Sequence, residues 1–320
     1  MVTKSPTSVP VTEHLDTTRR GSAVDILILG AGWTSTFLEP LCDNRSISYA
    51  ATTRDGRNGT IKFAFDPSGD SGNLGEYEVL PDAQTVLITF PITKPGGSEL
   101  LVKSYYESRE ESRRESIAKQ VQFIQLGTTG IWDGQRNAKA KGEPLKAVEN
   151  KWYDRKSPFQ PTDRAKEEEE LLKLSNAPHA YARGTAVLNL AGLWGGPRSP
   201  KNWVKRVAPT KEALKLKGSV HLIHGIDVAR VIVALHDQFD KAKGQRWIVN
   251  DGRVYDWWDL ASAWGDGDGD GTCALWVREL MEEAHVRGLP RSADTLGRAF
   301  DSQDLWRTFG LTPEKTLFSI

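Results

Sequence analysis

The chain is poor in cysteine, in long apolar runs and in surplus charge, and each lack removes a class of protein. Only Cys42 and Cys273 occur, far apart and in no C-x-x-C pair. Neither a disulfide framework nor a zinc ribbon is supported, and a reducing, cytoplasmic compartment is the expectation. The longest apolar stretches, around Ile26–Leu29, Val86–Phe90 and Val228–Leu235, fall far short of the ~20 residues a membrane helix needs. Lys and Arg number 42 against 42 Asp and Glu, so no global field draws the chain to nucleic acid or to an anionic membrane. Residues 1–23 lack the apolar core of a signal peptide and show no periodicity; they read as a disordered tail. The sequons at Asn44 and Asn58 are therefore not expected to meet a glycosylation enzyme. No repeat of fixed period is present.

What is present has an α/β rhythm. The 320 residues give room for two domains or one large α/β unit. Short, almost wholly apolar runs recur at Asp25–Leu29, Ile47–Thr53, Thr60–Phe65, Thr85–Ile92, Val121–Leu126 and Thr185–Leu190, as strands buried on both faces of a parallel sheet do. The pattern predicts a Rossmann-type doubly wound sheet over 24–190. A mainly substrate-binding lobe is expected over 191–320, with about 218–236 returning to the first domain. The Thr53-to-Thr60 link is too short for a crossover helix. Ser98–Gln120 reads as one helix, with Glu107–Ser116 and Glu167–Glu170 as solvated charge runs in which pairs such as Glu110 with Arg114 sit comfortably. Cys273–Arg287 is a further helical stretch. Ten of the eleven tryptophans follow residue 130; they suit a binding cleft or, with more weight, a core.

Three decoys fall away. Asp266, Asp268 and Asp270 match the first ligand positions of an EF-hand, but Val277 stands where the bidentate glutamate belongs. Gly69-Asp-Ser-Gly72 lacks the rest of a protease signature and reads as an acidic turn. His221 and His224 have no third ligand nearby, so no metal site is expected.

The chemistry-bearing segment is Gly30-Ala-Gly-Trp-Thr-Ser35, directly after the first strand. Gly30 permits a tight turn, Gly32 lets backbone approach a pyrophosphate, and the following helix offers it free N–H groups. The second strand ends Thr53-Arg54-Asp55. An acidic group there takes the ribose of NAD and an arginine the 2'-phosphate of NADP; Arg54 comes first, which favours NADP(H) over NAD(H). Asp66 either hydrogen-bonds adenine or caps the next turn.

Further motifs follow in order. Leu126-Gly-Thr128-Thr-Gly-Ile-Trp132, Gln160-Pro-Thr162-Asp-Arg164-Ala-Lys166, Asn189-Leu-Ala-Gly-Leu-Trp-Gly-Gly-Pro197-Arg198 and His221-Leu-Ile-His224-Gly-Ile-Asp227-Val-Ala229 resemble segments of the atypical extended short-chain dehydrogenase/reductases, the NAD-dependent epimerase/dehydratase-like proteins. The resemblance runs from about Asp25 to Trp264. It implies a cofactor site of Gly30, Gly32, Trp33, Thr34, Ser35, Thr53, Arg54 and Asp66, with Phe90, Thr128, Lys166, Ala191 and Gly192 flanking nicotinamide. It implies that Thr128 polarises the substrate oxygen and that Thr129, Trp132, Trp152, Trp194 and Trp203 line a substrate cleft. The departure is at the family's catalytic tyrosine, four residues before its lysine: Thr162 stands there, and no tyrosine of this chain has a lysine at i+4. A threonine hydroxyl is no acid/base near neutral pH, so Tyr153, His179, Lys166 or a water held by Thr128 must move any proton.

The leading expectation is an NADP(H)-dependent oxidoreductase acting on a small carbonyl or hydroxyl compound, as monomer or homodimer. Alternatives are a non-redox isomerase or cyclase, and a non-catalytic NADP-binding sensor or scaffold.

Overall fold

The computed structural model describes residues 22–68, 74–133, 150–176, 181–265 and 271–319. Most of the 1–23 tail, Gly69–Gly72, His179 and Asp266–Asp270 lie outside the described residues. The strands are β1 (Val24–Leu29), β2 (Tyr49–Thr53), β3 (Ile61–Lys62), β4 (Ala83–Ile88), β5 (Gln122–Thr128), β6 (Lys151–Tyr153), β7 (Gly184–Leu190), β8 (Gly192–Trp194), β9 (Ser219–Val220), β10 (Leu222–His224), β11 (Gln245–Val249), β12 (Tyr255–Asp256) and β13 (Arg298–Phe300). The helices are α1 (Ser35–Arg45), α2 (Gly75–Glu78), α3 (Gly97–Glu107), α4 (Glu111–Gln120), α5 (Asp163–Lys173), α6 (Val204–Val207), α7 (Lys211–Lys215), α8 (Gly225–Asp237), α9 (Trp257–Trp264), α10 (Thr272–Glu283) and α11 (Gln303–Phe309).

Seven parallel strands form one sheet in the order β11-β7-β5-β4-β1-β2-β3. The order reverses between β1 and β4, the place where doubly wound sheets open a crevice. Alternate residues of β1 explain its unbroken apolar run. Ile26 and Ile28 join a core with α1, α8 and α11, through Leu38, Ile232 and Phe309. Leu27 and Leu29 face the other way, into a core with α3, α4 and α5, through Leu101, Ile117 and Leu171. Each face is covered by helices, so no side of the strand needs polar residues.

A smaller assembly follows β7. The strand pairs β8–β10 and β9–β12 sit with α9 and α10, whose Trp258, Cys273, Val277 and Leu280 share a separate core, and β13 pairs back to β6, with Phe300 and Tyr153 in a further small cluster. Trp203, Trp257, Trp264 and Trp276 belong to the α9–α10 core, and Trp247 and Trp306 belong to the sheet core; most of the late tryptophans are packing. Both cysteines are buried, Cys42 in the sheet core and Cys273 in the α9–α10 core. No helix among the described residues is long and apolar enough to cross a membrane.

Several expectations need correction. The return to the main sheet does not end near residue 236, because β11 pairs with β7 and α11 packs on the same core. The third strand, expected over Thr60–Phe65, is two residues long; the link before it holds only the 3-10 turn Arg57–Gly59, in keeping with the missing crossover helix. Ser98–Gln120 is two helices, broken at residues 108–110. The break exists because Arg109 turns inward. Its guanidinium lies 3.1 Å from Asp82, donates to the carbonyls of Leu80 and Tyr77, and stacks 4.1 Å over Tyr105. Arg114 donates to the carbonyls of Glu107 and Arg109, where a pair with Glu110 was expected. Glu167 and Glu168 are also buried. The Glu167 carboxylate accepts from the backbone N–H groups of Gly96 (3.2 Å) and Ser98 (3.0 Å), capping α3 where its orphan donors and positive dipole end need an anion.

Candidate functional site

The glycine turn is built by close packing on one side and open space on the other. Gly30 has φ +92°, and a Cβ there would lie 2.7 Å from Thr89 Oγ1 and 3.1 Å from Phe90 Cδ1; only glycine fits. The turn is tied to β2, with Ala31 N donating to Thr52 O (2.6 Å) and Gly30 N to Thr52 Oγ1 (3.0 Å). A Cβ on Gly32 would meet nothing nearer than Gly30 O at 4.0 Å. The N–H groups of Gly32, Trp33 and Thr34 have no acceptor among the described residues, and the first turn of α1 carries no acidic residue. Room and unpaired donors together fit a pyrophosphate. Trp33 is pinned by its Nε1–H to Gly195 O (3.0 Å), and the Arg198 guanidinium lies 4.6 Å over its ring.

From this turn a cavity of about 830 Å³ runs past the ends of β5 and β7 to Phe300, within the size range of ligand sites. Gly30, Gly32, Trp33 and Thr34 line one end; Thr128, Thr129, Ala191 and Gly192 line the middle. The Thr128 hydroxyl accepts from Gly130 N (3.1 Å), which leaves its own hydrogen to donate. Thr129 Oγ1 lies 3.4 Å from Leu190 O. Gly192 is held by packing, since a Cβ there would fall 2.9 Å from Leu222 Cδ2 and 3.2 Å from Trp203 Cζ3. At the far end His221 accepts at Nε2 from Phe300 N (3.1 Å). Burial pushes its imidazole down to about 3. The ring is thus neutral and its proton resides on Nδ1, which has no partner among the described residues.

Under the cavity lies a buried charge layer. Thr162 caps α5, accepting from Ala165 N. Arg164 lines the cavity, donates to Leu126 O (2.6 Å) and lies 3.2 Å from Glu168. Glu168 also accepts from Asn189 Nδ2 (2.7 Å) and lies 3.3 Å from Arg246. Gly127 makes room for this layer, because a Cβ would fall 2.5 Å from Asn189 Nδ2 and 2.7 Å from Glu168 Oε1. At 3.6 residues per turn, Arg164, Glu168 and Leu171 share the inward face. Lys166 is two residues out of phase: it is exposed, pairs with Asp163 at 3.3 Å and does not line the cavity. Arg164, and not Lys166, is the residue of this helix that lines the cavity.

The remaining expected residues divide. Ser35, Thr53, Arg54, Asp66 and Phe90 do not line the cavity. Ser35 is buried; the Thr53 hydroxyl lies 2.7 Å from that of Thr60 and accepts from Gly56 N. Arg54 is exposed at the end of β2, while the neighbouring Asp55 lies 3.2 Å from Arg57. Asp66 takes its turn-capping alternative, accepting from Ser68 N at 2.8 Å, and Phe90 stacks on Phe65 with ring centres 5.7 Å apart. Of the expected cleft residues, Trp203 and Thr129 line the cavity. Trp132 is buried and donates to Ser157 O, Trp152 is half exposed on Asp294, Trp194 packs edge-on to His224, and Tyr153 packs on Phe300; these four do not line the cavity. Arg164, Arg206, His221, Trp257, Arg298 and Phe300 line the cavity and were not singled out as site residues. The one available signal was the i,i+2 spacing of Arg298 and Phe300, which sets both on one face of a strand.

Sequence comparison matches the chain to no family model and to no curated protein. Solved structures do match. A functionally unknown conserved protein from Silicibacter pomeroyi is 17% identical with a TM-score of 0.54, over 91% of this chain and 94% of that one. UDP-N-acetylglucosamine 4-epimerase from Bacillus cereus is 11% identical with a TM-score of 0.55, over 92% and 95%. A yeast methylglyoxal/isovaleraldehyde reductase complexed with NADPH is 14% identical with a TM-score of 0.52, over 92% and 94%. With these likenesses and its sheet order, the chain has the fold of the extended short-chain dehydrogenases/reductases.

Proposed function

We propose that the protein is an NADP(H)-dependent oxidoreductase acting on a small carbonyl or hydroxyl compound. The observation that carries this reading is the open Gly32 turn with its unpaired N–H groups, opening into a cavity that passes Thr128. Gly32, Trp33 and Thr34 would hold the pyrophosphate, with Arg198 beside them. Asp55 is engaged by Arg57, and Arg54 stands exposed beside it at the end of β2, which favours the 2'-phosphate of NADP(H). The fold is also that of the yeast reductase bound to NADPH. When bound, nicotinamide supplies or accepts the hydride.

This chain's own residues orient the substrate. The Thr128 hydroxyl, already accepting from Gly130, donates its hydrogen to the substrate oxygen and polarises it. Thr162 is a helix cap and Lys166 faces outward, so neither moves a proton at the cavity. That same observation favours a second reading, a dinucleotide-binding protein without redox turnover, either an isomerase or a sensor.

The test is a calorimetric titration with NADPH, NADP, NADH and NAD on the wild-type protein, Gly32→Val and Arg54→Ala. Micromolar NADPH binding is expected, abolished by Gly32→Val and weakened about tenfold by Arg54→Ala for the phosphorylated cofactors alone. Absence of dinucleotide binding overturns both readings. Binding without NADPH oxidation across a panel of aldehydes, ketones and keto acids supports the second.

A further inference from the structure

We infer that the substrate is an anion, with its carboxylate or phosphate seated in the far half of the cavity between Arg206, Arg298 and the Nδ1–H of His221. This deepens the reading of the cavity as a substrate site and rests on it. Four arginines line the cavity, Arg164, Arg198, Arg206 and Arg298, against one carboxylate, that of Asp133. Arg164 is matched from behind by Glu168. Arg298 lies 3.0 Å from Asp133. Two cations are left without a carboxylate partner. Arg198, on the Trp33 ring, serves the glycine end. Arg206 is exposed on α6, lines the cavity and makes no ion pair among the described residues.

The far end is also rigid and rich in donors. Arg298 is fixed before any ligand arrives, 5.0 Å over the Phe300 ring, and the Ser219 hydroxyl donates to its carbonyl. Phe300 N holds His221 in the tautomer that presents Nδ1–H, a donor with no acceptor among the described residues. A buried donor left unpaired, as His221 Nδ1–H is, is costly, and an anion satisfies it while drawing charge-assisted bonds from the guanidinium groups. Trp203, Trp257 and Phe300 give the same region flat apolar walls, so an aryl-borne anion fits it better than a bare ion.

The test titrates the full chain with benzoate and phenyl phosphate, with benzamide as the neutral control, with and without saturating NADPH. At least one anion is expected to bind about tenfold or more tighter than benzamide, and the tighter one identifies carboxylate or phosphate as the natural group. Arg206→Gln and Arg298→Gln are each expected to weaken that anion about tenfold while NADPH affinity stays within about twofold. Arg206 is exposed, so its variant decides the matter if Arg298→Gln fails to fold. Equal binding of benzamide overturns the inference. So does anion binding that both arginine variants retain and only Gly32→Val removes. NADPH binding without anion preference overturns this inference alone, whereas anion binding without dinucleotide binding overturns the cofactor reading alone.

Discussion

The Glu168 carboxylate accepts a 2.7 Å hydrogen bond from the Asn189 side-chain amide at a position with no solvent exposure. It is flanked by Arg164 and Arg246, which carry the charge that lets it stay buried. Removing it strands two guanidinium groups under the sheet. Glu168→Ala is expected to cost about 3 kcal/mol, a fall of about 5 °C in Tm. Thermal unfolding checks this, and a Tm within a degree or so of wild type would sink the idea that the layer is coupled.

The two glycines of the turn should fail differently. Gly30→Ala forces a side chain onto φ +92° against Thr89, so the folded state is expected to lose about 2 kcal/mol. Gly32→Val fills open space, so its Tm should hold while dinucleotide binding disappears. Calorimetry beside a melting curve separates the two, and equal Tm losses would show that the Gly32 face is not open.

Lys166→Ala is expected to leave NADPH affinity within about twofold, because an exposed ion pair such as Lys166–Asp163 contributes little and the ammonium faces away from the cavity. A tenfold or greater loss would return Lys166 to the site and reverse the phase assigned to α5.

Glu170 gives a pH dependence. Burial and the neighbouring Glu167 carboxyl push its carboxyl up to about 7 from an ordinary 4.5. The folded state therefore favours the protonated form. Its stabilisation is complete below the unfolded value and is lost as pH rises through 4.5 to about 7. Since the side chain is only half-buried, solvent screening limits the effect to about 1 kcal/mol. Tm should decline by about 2 °C between mildly acidic and mildly alkaline buffer, and Glu170→Gln should flatten that part of the slope. A variant with the same slope as wild type would disprove the assignment.

Strands and the glycine turn were legible because their signals are local: an apolar run bounded by glycine reports burial on both faces wherever it occurs. The charged helices were not. Glu167, Glu168 and Arg109 look in sequence like solvated residues, and only the third dimension supplies the α3 terminus, the two arginines and Asp82 that make their burial tolerable. Lys166 was misassigned by two residues, which in a helix is more than half a turn. The far wall of the cavity was hidden for another reason. His221, Trp257 and the strand that carries Arg298 and Phe300 come from separate parts of the chain, and no spacing rule joins the three.

The late return of β11 to the sheet bears on how the protein is made. A nascent chain that has reached Leu190 owns six of the seven main strands, yet α8, α11 and the edge strand β11 are still to be synthesised. Until they emerge, Ile26, Ile28, Leu87 and Leu188 lack most of their eventual cover. Partly covered apolar sheets of this kind are where aggregation starts. The ribosome must deliver residues well beyond the glycine turn before that turn rests on a finished platform. A fragment cut at residue 190 is a protein waiting for its own second half.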